Sequence, residues 1–279
     1  MIRARFSCPE DLVSKLLHRG GRPFKHGLRF FFVMAEVFVN YRAIFRGLLC
    51  IAAIGAAFLF RSHIFAQTSS IPAGFTPIFD GKDLNGWHLS RTNHHGTTGN
   101  VTVEDGAIVL RQHPVGQGGL LLTDKKYKNF ELYLEAKPDY GCNGGIFFRS
   151  TEAGSAYQIE LVGGAARGDL IGENQKVSKT YYVPTEDVNK IWKDNDWNSF
   201  RLRVSGDAPE ITLWINGVQM YDIQEPANDK VAGETDGMIG LQLHWNSIYE
   251  PTPGGRNMVG AWKPDAAHRF RNVAIKVLP

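Results

Sequence analysis

Three short stretches carry the side chains best suited to chemistry. They are Tyr157-Gln158-Ile159-Glu160, Gly145-Ile146-Phe147-Phe148-Arg149 and Gly240-Leu241-Gln242-Leu243-His244. Apolar and polar residues alternate in each, which is the pattern of a β-strand whose successive side chains point to opposite faces. Gln158 then shares a face with Glu160, Phe147 with Arg149, and Gln242 with His244. If the three strands are neighbours, a carboxylate, a guanidinium, an imidazole and two amides meet on one sheet surface. A carboxylate and an imidazole can move protons, a guanidinium can hold an oxyanion, and amides can bind hydroxyls. Such a site on an all-β scaffold points to sugar chemistry. Trp245, beside His244, is the candidate platform for stacking on a sugar ring. Asn143 and Glu131 are further candidate sugar contacts.

Each of these residues also has an ordinary structural reading. Arg149 and Glu160 can form a cross-strand ion pair on a solvated face. His244, close to a strand end, can serve as a hydrogen-bonding support. Glu131 and Glu135 share a face with Tyr133, either lining the same groove or forming the polar side of a half-exposed strand. The adjacent pair His94-His95 falls in a loop over residues 88–99. Neighbouring loop residues rarely hold one ion together, so the pair is expected to face solvent. Cys142 has no evident base beside it and is expected to be inert packing.

The elements that must position these residues begin well inside the chain of 279 residues. Arg42 and Arg46 precede an apolar run from Gly47 to Phe60, and Ala66 is the best cleavage residue after it. This is the layout of a secretory signal, with an uncleaved N-terminal anchor as the alternative, and the run is short for a membrane span. Met34 opens a conventional signal peptide and is the expected start, so residues 1–66 read as extension and signal. That segment holds ten of the 31 Lys and Arg but only three of the 28 Asp and Glu. Without it the chain carries net charge −4, so the basic balance argues nothing for nucleic acid. Of three cysteines only Cys142 remains, and one thiol cannot make an internal disulfide. The expected product is secreted or periplasmic.

Residues 67–74 read as a linker. From Phe75 onward, short strands separated by Gly, Asn and Asp turns predict one all-β sandwich or barrel over 75–279. Asn216-Gly217, between Ile211–Ile215 and Gln219–Asp222, is the strongest hairpin signal.

An ordered set of pieces then resembles the 3-keto-disaccharide hydrolase domain family. The set opens with Gly74-Phe75 and Ile78-Phe79-Asp80-Gly81-Lys82-Asp83-Leu84-Asn85-Gly86-Trp87. It continues through Val103-Glu104-Asp105-Gly106, Asn143-Gly144-Gly145-Ile146-Phe147-Phe148-Arg149, Trp197-Asn198 and Gly240-Leu241-Gln242-Leu243-His244, and ends at Phe270-Arg271-Asn272-Val273. The resemblance implies a concanavalin A-like jelly-roll β-sandwich of two antiparallel sheets. It further implies secretion and cleavage of glycosides oxidised at C3 of the sugar. The family commonly shows Tyr-Glu-x-Gln where this chain has Tyr157-Gln158-Ile159-Glu160, with carboxylate and amide exchanged. On this reading Glu160 is the base, His244 exchanges protons, and Arg149 or a divalent metal on Glu160 and His244 holds the oxyanion. A noncatalytic lectin-like domain is the alternative on the same fold. An ordinary retaining glycosidase would need two carboxylates about 5–5.5 Å apart, drawn from Glu131, Glu135 and Glu160.

Overall fold

The computed structural model describes residues 71–162, 166–173, 180–228, 233–246, 249–252, 255–258 and 262–279. The expected signal segment, and all of the linker but its last four residues, lie outside these. In chain order the strands are β1 (Thr76–Pro77), β2 (Trp87–Leu89), β3 (Asn100–Glu104), β4 (Ala107–Arg111), β5 (Gly119–Tyr127), β6 (Phe130–Pro138), β7 (Asn143–Ser150), β8 (Ala156–Val162) and β9 (Arg167–Glu173). A short helix α1 (Thr185–Asn189) follows, then β10 (Asn198–Ser205), β11 (Glu210–Ile215), β12 (Val218–Gln224), β13 (Gly237–Leu243), β14 (Tyr249–Thr252), β15 (Gly255–Met258) and β16 (Ala267–Val277). Among the described residues no helix is long and apolar enough to cross a membrane.

Two antiparallel sheets make a β-sandwich, one of the two forms that the strand pattern predicts, and the jelly roll that the resemblance implies. The larger runs β12-β11-β10-β6-β16-β4-β3, with β1 added on β16, and the smaller runs β2-β5-β13-β7-β8-β9. Alternation decides what lies between them. Phe130, Leu132 and Leu134 of β6 and Phe200, Leu202 and Val204 of β10 point inward from the larger sheet. Ile146 and Phe148 of β7, Tyr157, Ile159 and Leu161 of β8, and Ile239, Leu241 and Leu243 of β13 meet them from the smaller one. Phe148 and Tyr157 stack with ring centroids 5.4 Å apart. Each such side chain contributes roughly 1.5–3 kcal/mol by leaving water, so the core needs no disulfide. Cys142 is packed inside this core, where burial pushes its thiol pKa up, in keeping with inert packing. Asn216 and Gly217 form the expected hairpin turn, both with positive φ, which matches a type I′ geometry between β11 and β12.

One strand departs from simple alternation. In β7, Phe147 pairs with Gly240 and Ser150 with Met238, so β7 carries one residue more than β13 between those two pairs. Arg149 sits in this β-bulge with φ of 50°. Its side chain therefore does not join Phe147 on the outer face of the sheet. Arg149 is fully buried and donates from Nε and Nη2 to the Lys128 carbonyl at 3.1 and 2.8 Å. Its guanidinium also reaches the carbonyls of Gly206 at 2.6 Å and Asp207 at 3.3 Å. The sugar-facing role that alternation suggested for Arg149 is thus corrected to a clamp. It ties β7 to the β5–β6 turn and to the β10–β11 turn of the facing sheet.

A lysine has one ammonium and cannot span these carbonyls as a planar fork does. Arg149→Lys is expected to lower the unfolding free energy by about 2–4 kcal/mol, measured by urea denaturation. A midpoint equal to wild type would contradict the clamp.

Candidate functional site

The outer face of the smaller sheet is polar at its centre and apolar around it. Phe147, Leu120, Leu122, Ala156 and Met238 form a buried apolar floor there. Gln158 of β8 and Gln242 of β13 stand among them, 3% and 0% exposed, although a strand of β7 lies between their own. They meet because β7 has a glycine at the crossing point. A Cβ on Gly145 would lie 2.4 Å from Gln158 Nε2. The vacant space lets Gln158 lie across Gly145 and donate to Gln242 Oε1 at 3.2 Å. Gln158 Oε1 and Gln242 Nε2 have no hydrogen-bond partner among the described residues. Reversing both amides leaves the same inventory, one acceptor and one donor.

Glu160 continues the same face of β8, opposite Gly145, and is partly exposed. His244 follows β13 in a tightly held turn. Its backbone N–H donates to the Asn143 carbonyl at 3.1 Å. Asn143 Nδ2 in turn donates to Asn246 Oδ1 at 2.8 Å. Gln112 Nε2 donates to the carbonyls of His244 at 2.9 Å and Trp245 at 2.8 Å. Asn143 thus supports this turn. His244 Nδ1 accepts the Asn246 N–H at 3.2 Å, so in the neutral ring the proton sits on Nε2. Burial, with His95 nearby, lowers the His244 pKa to about 4. At neutral pH this side chain is an uncharged donor. Trp245 is half exposed and stacks on His244 with centroids 5.5 Å apart.

His94 and His95 are expected to face solvent; His94 does, whereas His95 is buried and the loop around it is held against the sheet. Ser90 N–H donates to the Leu120 carbonyl, and Ser90 Oγ donates to the Glu152 carbonyl at 2.7 Å. Glu152 also accepts the Arg91 N–H at 2.9 Å and contacts His88 Nε2 at 2.9 Å. Further along, a Cβ on Gly118 would lie 2.3 Å from the His95 carbonyl oxygen. The loop backbone therefore lies directly on β5's entry, and His95 is only 6% exposed. Its ring packs edge-on to Phe147, centroids 6.5 Å apart, and 4.7 Å from the ring of His244. His95 Nε2 is 3.3 Å and His94 Nε2 3.1 Å from Glu173 Oε1, at the end of β9. Burial raises the Glu173 pKa, but the hydrogen bond and charge of His95, with His94 and His244, outweigh it and leave it lowered.

Neither the strand β9 nor Glu173 was expected from the sequence, because Arg167-Gly168-Asp169 breaks the alternation that marks a strand. Glu131 lies elsewhere. β6 belongs to the larger sheet, so its polar residues point out from the opposite side of the sandwich. There Glu131 binds Arg201 at 2.6 Å, and Glu135 binds Arg271 at 2.6 Å. Neither shares a groove with Gln158. Among the described residues, the group of three that could hold a metal ion is His94, His95 and Glu173.

Against this geometry, the 3-keto-alpha-glucoside-1,2-lyase-like domain profile matches residues 74–276. The chain belongs to that family. A 3-keto-disaccharide hydrolase of Bacteroides thetaiotaomicron is 38% identical over 138 residues. That match spans 46% of this chain and 44% of the relative, so the chain covers less than half the length of that protein. A candidate glycosyl hydrolase structure from Parabacteroides distasonis aligns with TM-score 0.48 and 22% identity over 74% of this chain and 94% of that one. The carbohydrate-binding module CBM66 from Bacillus subtilis aligns with TM-score 0.44 and 16% identity over 68% of this chain and 95% of that one. By the family profile and the Bacteroides relative, the chain carries a carbohydrate-active, glycoside hydrolase-like domain.

Two outcomes are expected of this 3-keto-alpha-glucoside-1,2-lyase-like domain. Gly145→Ala should push Gln158 off Gln242, and a crystal structure of the variant should show the amide pair broken while the core is unchanged. The buried histidines also predict acid lability. Burial holds His268 at about 3 and His244 at about 4, whereas an unfolded histidine titrates near 6.5. The unfolded chain therefore binds more protons between these values, so stability present at neutral pH falls as pH drops from about 6.5 towards 4. Urea midpoints at pH 7, 5.5 and 4.5 should decline in that order. A flat series would contradict the assignment.

Proposed function

We propose that this domain cleaves glycosides whose sugar has been oxidised at C3. The orphan donor and acceptor of the Gln242–Gln158 pair carry the reading. A buried, unpaired polar atom costs about 1–3 kcal/mol, and a sugar hydroxyl both donates and accepts, so it matches this pair. The apolar floor suits the C–H face of a sugar ring, and half-exposed Trp245 suits stacking on it.

A carbonyl at C3 acidifies the hydrogen at C2. Glu160, on the same face and accessible to solvent, takes that proton. The electron pair left behind forms a C2–C3 enediolate with its negative charge on the C3 oxygen. Collapse of that charge restores the carbonyl, forms C1=C2 and breaks the bond from C1 to the leaving oxygen, which receives a proton. Water then adds its hydroxyl to C1 and a proton to C2, which completes net hydrolysis. His244, neutral with its proton on Nε2, is the donor for the C3 oxyanion or the leaving oxygen. Arg149 has no part in this. The same resemblance supports export of the protein to the periplasm or outside the cell.

The experiment compares a nitrophenyl 3-keto-glucoside with its unoxidised parent in deuterated water. The ketone should release nitrophenol and the product should carry deuterium at C2, while the parent stays intact. Equal cleavage of both, or product without deuterium, would sink the elimination route. Glu160→Gln should slow release by about 10²–10⁴-fold. Sugar binding with no release from either substrate would favour the lectin-like alternative, which the amide pair and Trp245 also suit.

A further inference from the structure

We propose that His94, His95 and Glu173 form a binding site for one divalent transition-metal ion, of the zinc or manganese class, beside the sugar-facing amide pair. The donor atoms already converge. Both imidazole Nε2 atoms lie within 3.1–3.3 Å of one Glu173 oxygen, and one ligand atom from each residue lies within 4.8 Å of the others. Ligands about 2.0–2.2 Å from a shared ion are at most some 4.4 Å apart, so modest closure completes the site.

The donor chemistry selects the ion. Two imidazoles with one carboxylate suit zinc, manganese or iron, whereas calcium and magnesium favour all-oxygen sets. The site is also built before any ion arrives. His95 is buried, its backbone rests on Gly118, and the loop is bonded through Ser90 and Arg91 to Glu152 and Leu120. Adjacent histidines on a free loop would lose much of their entropy on binding; on this one they are already fixed. Glu173 arrives from a separate element, the sheet strand β9.

His244 is near but not among the ligands. Its ring is 4.7 Å from that of His95, yet its Nδ1 is occupied by the Asn246 N–H and its Nε2 then holds a proton. Three protein ligands leave a coordination position open, the pattern of sites where an ion also meets a substrate or water. A bound ion would supply a fixed positive charge for sugar oxygens, on the face from which Arg149 is turned away.

The test uses untagged full-length protein, stripped with a chelator and titrated with Mn²⁺ and Zn²⁺ by calorimetry, with bound metal counted by mass spectrometry. One ion per chain is expected, with a melting temperature that rises with metal concentration. Glu173→Gln and His95→Ala should abolish the stoichiometric site. His94→Ala, at an exposed position, should weaken binding at least about tenfold and decides the matter if the buried variants fail to fold. Wild type that takes up no ion, or variants that bind as wild type does, would overturn the site. The readout needs no sugar. Protein that binds one ion yet spares 3-keto-glycosides overturns the proposed activity alone, and protein that cleaves them without binding an ion overturns the metal site alone.

Discussion

The constraint on which this molecule's chemistry depends is a sheet that is buried on both faces. The inner face of the smaller sheet is covered by the larger one, as in any sandwich. Its outer face would ordinarily be wet, yet Phe147, Leu120, Leu122 and Gln242 are all fully buried there. Among the described residues, the loop from Ser90 to Gly99 lies against that face. It reaches Phe147 through His95 and Gly118 through the His95 carbonyl. The latch of Ser90, Arg91 and His88 on Glu152 holds it down.

Shielding changes what those groups can do. In water an amide pair such as Gln158 and Gln242 would satisfy its spare donor and acceptor with solvent at no cost. Buried on this face, the two atoms have no hydrogen-bond partner among the described residues, and a ligand with both functions would recover that loss. The same burial keeps His244 neutral and sets its tautomer through one backbone N–H. Glu173 stays ionised against burial because imidazoles approach it, so the charged and uncharged parts of the face are kept apart by local partners.

How far the sequence reveals this depends on where alternation holds. Strands β5, β6, β7, β8, β10 and β13 alternate or run apolar between turn residues, and they are legible. Alternation gives the face of a strand, however, and not its sheet. Glu131 therefore reads as a neighbour of Gln158 although β6 lies in the other layer. It also assumes an unbroken ladder. The bulge at Arg149 shifts the side chain off the expected face, and a positive φ at a non-glycine residue has no signature in sequence. Strand β9 is hidden by Arg167-Gly168-Asp169, and Glu173 with it. His95 reads as loop in the sequence, since its burial comes from Gly118 and Phe147, twenty and more residues away. Gln158, Gln242, Glu160 and His244 were legible as one face because β7, β8 and β13 are true neighbours.

The order of Gln158 and Glu160 follows from the same burial. Position 158 is 3% exposed and its side chain lies across Gly145 onto Gln242, an amide. A carboxylate there would be an unscreened charge facing a neutral partner over a floor of Phe147, Leu120 and Leu122, and desolvation would drive it to take up a proton. An amide of the same length keeps the hydrogen bond and carries no charge. Two residues on, about 6–7 Å along the strand, position 160 is partly exposed, where a polar side chain is desolvated less. The exchange of amide and carboxylate thus puts the neutral group at the buried position and the carboxylate at the partly exposed one.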